Sequence, residues 1–183
     1  MKIPIRIALF PVLVLTTTAL GAQQAGEMDH ANCPMHSASH AQPDAHHDVV
    51  EHHGDQAMGF PHDKTTHHFL LSAAGGIIQV TADDPNDATD IDAIRMHLTH
   101  IASMFAAGDF STPMFVHDEI PPGVTAMKLL SDRIHYRFES LGSGGSVRIE
   151  SSDAVALAAI HDFLRFQITE HRTGDPTSIP DAQ

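Results

Sequence analysis

Between Asp90 and Asp109 the apolar residues Ile91, Ile94, Leu98, Ile101 and Phe105 recur at helical spacing, one stripe of an amphipathic helix. A second segment of this kind runs from Ala154 to Arg172. Ahead of each lie two short stretches in which apolar and polar residues alternate, the pattern of half-buried strands. The predicted elements are strands over His67–Ala73 and Ile77–Ala82 with a helix over Ile91–Ala107, then strands over Ile134–Leu141 and Ser146–Ser151 with a helix over Ala154–Arg172. A short helix is predicted around Met127–Leu130, within the connection Phe110–Arg133.

The pattern occurs twice because the sequence does. GGIIQVTADD (Gly75–Asp84) aligns with GGSVRIESSD (Gly144–Asp153) at an offset of 69, and Ala93-Ile94, Leu98 and Gly108-Asp109 align with Ala159-Ile160, Leu164 and Gly174-Asp175 at an offset of 66. The fold class that follows is α+β: duplicated ββα units forming a four-stranded antiparallel sheet with two helices on one face. The Gly pairs suit hairpin turns with positive φ, and Gly108 and Gly174 suit helix C-caps.

Alternation assigns faces. In the second unit Ile134, Tyr136, Phe138, Val147 and Ile149 point toward the helices, and His135, Arg137, Arg148 and Glu150 toward water. Aligning His68 with Tyr136 and Leu70 with Phe138 turns His68 inward and His67 outward. Phe69, Leu71 and Ile77 then form an apolar outer face that needs a cover. The connection Phe110–Arg133 and a homodimer partner are the two candidates.

Composition adds the address. Lys2 and Arg6, the apolar run from Ile7 to Leu15 and the small residues up to Ala22 make residues 1–22 a secretory signal. The run is too short and too broken by Pro to stay in a bilayer, so the chain is expected to be exported, most simply to a periplasm, and not membrane-embedded. Residues 23–62 lack a lasting period and read as a disordered arm; 63–175 form the duplicated domain and 176–183 a disordered tail. The chain carries a formal charge of −13, and loss of the signal removes two of its ten basic residues. Such a surface repels nucleic acid and attracts cations. The single Cys33 excludes an internal disulfide, and the absence of Trp argues against a stacking surface for sugars or bases.

The chemistry lies in imidazole and sulfur. Ten of the sixteen histidines fall between Gln23 and His68, with Met28, Cys33 and Met35 among them, a composition that reads as metal binding. His97, His100 and Met104 share a strip beside the apolar stripe of the first helix, and His68 and His117 are expected to face the same region. In the repeat His97 and His100 correspond to Phe163 and Phe166, so one copy has imidazoles where the other has aromatic packing. The candidate metal ligands are His68, His97, His100, Met104, His117, Cys33, Met35, His36 and His67. Such donors suit copper, with zinc as the second candidate. The reading is a periplasmic protein that binds or buffers metal. The alternatives are a small metal-dependent hydrolase or transferase with a His-ligated ion and a structural or partner-binding module. No Gly-x-Ser-x-Gly elbow or His-Glu-x-x-His is present. Asp83–Asp92 lacks the Gly and terminal Glu of a calcium loop.

Asn32-Cys33-Pro34-Met35-His36 resembles the Cys-Pro-Met-His element of small heavy-metal-binding segments in periplasmic adaptors of metal-efflux pumps and in some metal-pumping P-type ATPases. Ser37 stands where those segments have Pro. The resemblance implies capture of a soft ion by this element and a metal-efflux component as partner. Met58-Gly59-Phe60, Lys64-Thr65-Thr66-His67-His68-Phe69 and Phe163-Leu164-Arg165-Phe166-Gln167-Ile168 resemble a family of uncharacterised exported His-rich bacterial proteins, over residues 58–175. Some members carry an aspartate carbamoyltransferase label. This chain has no Ser-x-Arg-Thr carbamoyl-phosphate loop, so the resemblance implies a class of protein and no activity.

Overall fold

A computed structural model describes residues 45–180. The elements run α1 (Ala45–Met58), β1 (Thr65–Ser72), β2 (Gly75–Ala82), α2 (Ala88–Ala106), α3 (Ser111–His117), α4 (Val124–Leu129), β3 (His135–Leu141), β4 (Gly144–Glu150) and α5 (Ala154–Glu170). The strands form one antiparallel sheet in the order β1-β2-β4-β3, and the duplicated ββα architecture holds. Both long helices start on an aspartate: Asp87 accepts from Thr89 N and Asp90 N, and Asp153 from Val155 N and Ala156 N. Gly108 closes α2 at φ 74°, as the sequence predicted, but α5 ends earlier than predicted: His171 is its C-cap and Arg172, at φ 51°, takes the left-handed position expected of Gly174.

Each helix packs across the repeat. α2 lies mainly over β4 and β3, whereas α5 lies over β1 and β2. The shared core holds Ile94, Leu98 and Phe105 of α2 and Ile160, Phe163 and Leu164 of α5, each essentially without solvent contact. At about 1.5–3 kcal/mol per fully buried side chain of this size, this layer is the main source of stability.

The inward face of the second hairpin is the one predicted, but that of the first is reversed. Phe69 pairs with Ile78 and His67 with Val80, and these residues point at the helices with Leu71, while His68, Leu70 and Ile77 lie on the opposite face. Phe69 and Leu71 are buried, so the apolar outer face that called for a homodimer or a covering loop does not exist in that form. The connection instead forms α3 and α4, which pack on α1 and α5. The hairpins also turn elsewhere than predicted. Ser72 faces Gly75 and Leu141 faces Gly144, leaving Ala73-Ala74 and Gly142-Ser143 as the turns. The Gly pairs belong to strands because there is no room for a side chain. A Cβ on Gly76 would stand 2.3 Å from Leu164 Cδ1 and 2.4 Å from Leu70 O.

The folded unit begins earlier than position 63, because residues 45–58 form α1. Its apolar face is thin, with only Val50 and Gly54 buried. The histidines around them tie the helix down: His46 Nε2 meets Glu170 Oε2 at 2.6 Å, and the His53 ring stacks on Phe115 with centroids 4.7 Å apart. The rest of the arm, the signal segment and the Cys33, Met35 and His36 element lie outside the described residues. At the C-terminal end Asp175 closes the outer edge of β1, its carboxylate accepting from Phe69 N and pairing with His68 Nδ1, both at 2.9 Å. Among the described residues no helix is long and apolar enough to cross a membrane.

Candidate metal centre

Five elements bring imidazole or thioether groups to one cavity of about 80 Å3. β1 supplies His67, since its pleat turns that residue and Phe69 toward the helices. α2 supplies His97, one residue before the buried Leu98. His117 is the last residue of α3, His171 follows the last turn of α5, and Met58 ends α1. Apolar side chains of the core, among them Phe69, Val80 and Ile101, line most of the remainder with Thr112 and Gln167, and no carboxylate does.

The contacts are specific. His67 Nε2 stands 3.3 Å from Met58 Sδ. The His67 and His171 rings are nearly parallel with centroids 6.2 Å apart, and His171 meets His117 edge to face at 5.1 Å. His117 is buried, and its Nε2 pairs with Gln167 Oε1 at 3.1 Å. With Nε2–H donating to that oxygen, Nδ1 carries the lone pair, and this buried atom has no hydrogen-bond partner. His97 packs edge to face on Phe60 at 5.8 Å.

Enclosure keeps these rings neutral. Burial, reinforced by the neighbouring imidazoles, lowers His67 and His97 to about 4 and His171 to about 3. His117 is also lowered by burial, against the opposing pull of its Gln167 hydrogen bond and of Glu170. A neutral imidazole is the form that ligates, so at neutral pH no proton has to leave before a cation enters.

Met58, His67 and His171 also line a second, wider cleft of about 270 Å3. Here the donors change character. Glu51 joins His47 Nε2 at 3.0 Å to His62 Nε2 at 3.4 Å, and Asp55 Oδ1 pairs with His62 Nδ1 at 2.9 Å. Partial burial works against a charge on His62, but the Asp55 hydrogen bond and the Asp55 and Glu51 charges outweigh it and raise its pKa.

Of the candidate ligands taken from sequence, the structure gathers His67, His97 and His117. His68 is on the opposite face of the sheet with Asp175. His100 is exposed on the outer side of α2. Met104 packs against the core, its sulfur 3.8 Å from Thr112 Oγ1, and does not line the cavity. Two contributors were missed, Met58 and His171. The buried His161 donates from Nε2 to Ser72 O, 2.9 Å away, a link between α5 and the first hairpin.

The repeat supplies an internal comparison. At the offset of 69 His67 corresponds to Tyr136, and at 66 His97 corresponds to Phe163 and Phe105 to His171. Tyr136, Phe163 and Phe105 pack as an aromatic cluster, with Phe105 edge to face on both partners at 5.9 Å. The same three places hold a packed core in one half and three imidazoles around a cavity in the other. Among the described residues no three His, Cys, Asp or Glu side chains are set to hold one metal ion as they stand. The pair already at ligand spacing joins an imidazole to a thioether, His67 with Met58.

Fold and site together define an α+β protein of two ββα units with a His- and Met-lined cavity in one of its two equivalent core regions. No family model, no curated protein and no solved structure matches the chain.

Proposed function

We propose that the protein binds and buffers metal, copper before zinc, outside the cytoplasm, through its His/Met/Cys arm and the cavity formed by Met58, His67, His97, His117 and His171. The observation that carries the reading is the asymmetry of the duplication. Imidazoles replace aromatic rings at three equivalent core positions, where aromatic packing would stabilise the fold more. Neutral imidazoles with a thioether are the donor set of copper, and the acidic surface draws cations toward it. The Cys33-Pro34-Met35-His36 element would take up the ion first, and its likeness to efflux segments suggests a metal-efflux component as the partner. The likeness to exported His-rich bacterial proteins agrees with a periplasmic location.

Copper and zinc titrations of three proteins test the reading: the mature chain, the same chain without residues 23–44, and the variant His67→Tyr/His97→Phe/His171→Phe. The expected result is at least one site tighter than about 1 μM, retained without the arm and lost in the triple variant. Binding that is weaker than this throughout, or untouched by the triple substitution, overturns it.

A further inference from the structure

We infer that the inner cavity selects by charge, taking monovalent copper on Met58 Sδ, His67 Nε2 and His171 and turning divalent ions away to the outer cleft. This rests on the metal-binding reading above and sharpens it. The Nε2–Sδ separation of 3.3 Å is the edge between two ligands of one ion. With metal–nitrogen and metal–sulfur lengths near those of zinc, about 2.0 and 2.3 Å, it gives an angle of about 100° at the ion. A thioether as one of so few donors favours Cu(I) over harder cations. The third ring, His171, stands beside His67 at the mouth of the cavity.

The charge argument is independent of donor softness. Inside the cavity the lining holds no charged side chain, and apart from the imidazoles only Thr112 and Gln167 are polar. The cost of desolvating an ion rises with the square of its charge, so a divalent ion faces about four times the penalty of a monovalent one, with no anion to offset it. Outside, Glu51 stands between His47 and His62 with Asp55 behind. There a carboxylate and water can compensate a double charge. The two compartments meet at Met58, His67 and His171, which line both.

The test uses the full mature chain with 13C-methyl methionine and 15N histidine. It is titrated anaerobically with Cu(I) supplied as its acetonitrile complex, and separately with zinc sulfate, until the spectra stop changing. Signals are assigned with Met58→Leu and His67→Phe, and backbone amide spectra confirm that both variants keep the fold. Cu(I) is expected to shift the Met58 methyl and His67 ring signals, whereas Zn(II) shifts those of His47 and His62 and leaves Met58 in place. Met58→Leu should weaken the inner Cu(I) site at least tenfold and leave Zn(II) binding unchanged. If Zn(II) shifts Met58 and His67 as Cu(I) does, charge selection is wrong while metal binding stands. If neither ion moves any cavity signal, the metal reading of the cavity fails with it.

Discussion

His67, His97 and His171 are each poorer for the fold than the ring they replace. A half-buried neutral imidazole packs less apolar surface than Phe or Tyr and leaves nitrogen atoms to be satisfied. The variant His67→Tyr/His97→Phe/His171→Phe should therefore be more stable than the native chain, by about 1–2 kcal/mol, a gain typical of filling a cavity at the expense of function. Thermal unfolding of the metal-free proteins checks this, and a lower Tm for the variant would show that the imidazoles contribute to packing. His117 differs from the three. It has no aromatic twin of this kind, and its hydrogen bond to Gln167 positions the ring, so Gln167→Leu should disturb metal binding before it disturbs the fold.

Elements were legible where a strong period and a clear stop coincided. The stripe Ile91–Phe105, its counterpart in the second unit and the stop at Gly108 placed α2 and α5 to within three residues at each end, while the N-caps Asp87 and Asp153 emerged only from the structure. Removing one cap makes the point measurable: Asp87→Ala should cost about 1 kcal/mol of stability, by denaturant unfolding, with no effect on metal binding. The first hairpin was misread for a reason visible in the sequence. Extending the offset of 69 from the Gly pairs into β1 places His67 on Tyr136 and Phe69 on Phe138, the faces observed, whereas a slip of one residue exchanges them. The glycines are not the turn: close packing against Leu164 excludes a side chain at Gly76. α1 was hidden by a thin apolar face in a histidine-rich background, where period and polarity disagree. Three of the five cavity residues were consequently legible. His67, His97 and His117 carried a chemical signal, while Met58 lay in a segment read as unfolded and His171 stood apart at the end of the second helix. Its match to Phe105 in the repeat was the signal that could have found it.

At the scale of the whole molecule the half-buried imidazoles act together on stability. Below about pH 6.5 the unfolded chain takes up protons on His67, His97 and His171 that the folded chain refuses until about pH 4 or 3. Stability is thus full above pH 6.5 and falls as the pH drops toward 4, by about 1–3 kcal/mol for each of the three rings. Asp175, held low by Thr173, Phe69 N and His68 against the opposing effect of burial, adds a loss in the same direction at lower pH. His62, raised by Asp55 and Glu51, works the other way, its contribution present below 6.5 and fading as the pH rises through its folded value. Against a total of about 5–15 kcal/mol, three imidazoles decide the outcome. Circular dichroism should show acid unfolding beginning above pH 4, and the triple variant should resist it. Equal acid sensitivity of the two proteins would place the cause elsewhere.

The crossing of α2 over the second hairpin and α5 over the first has a consequence for descent. A lone ββα unit would leave its sheet bare, because the helix that shelters it belongs to the other unit. The ancestral half-length chain could therefore have persisted only as two molecules clasped by exchanged helices. Joining them end to end freed the halves from having to be identical, which is the condition under which one can stay a core while its twin becomes a receptacle.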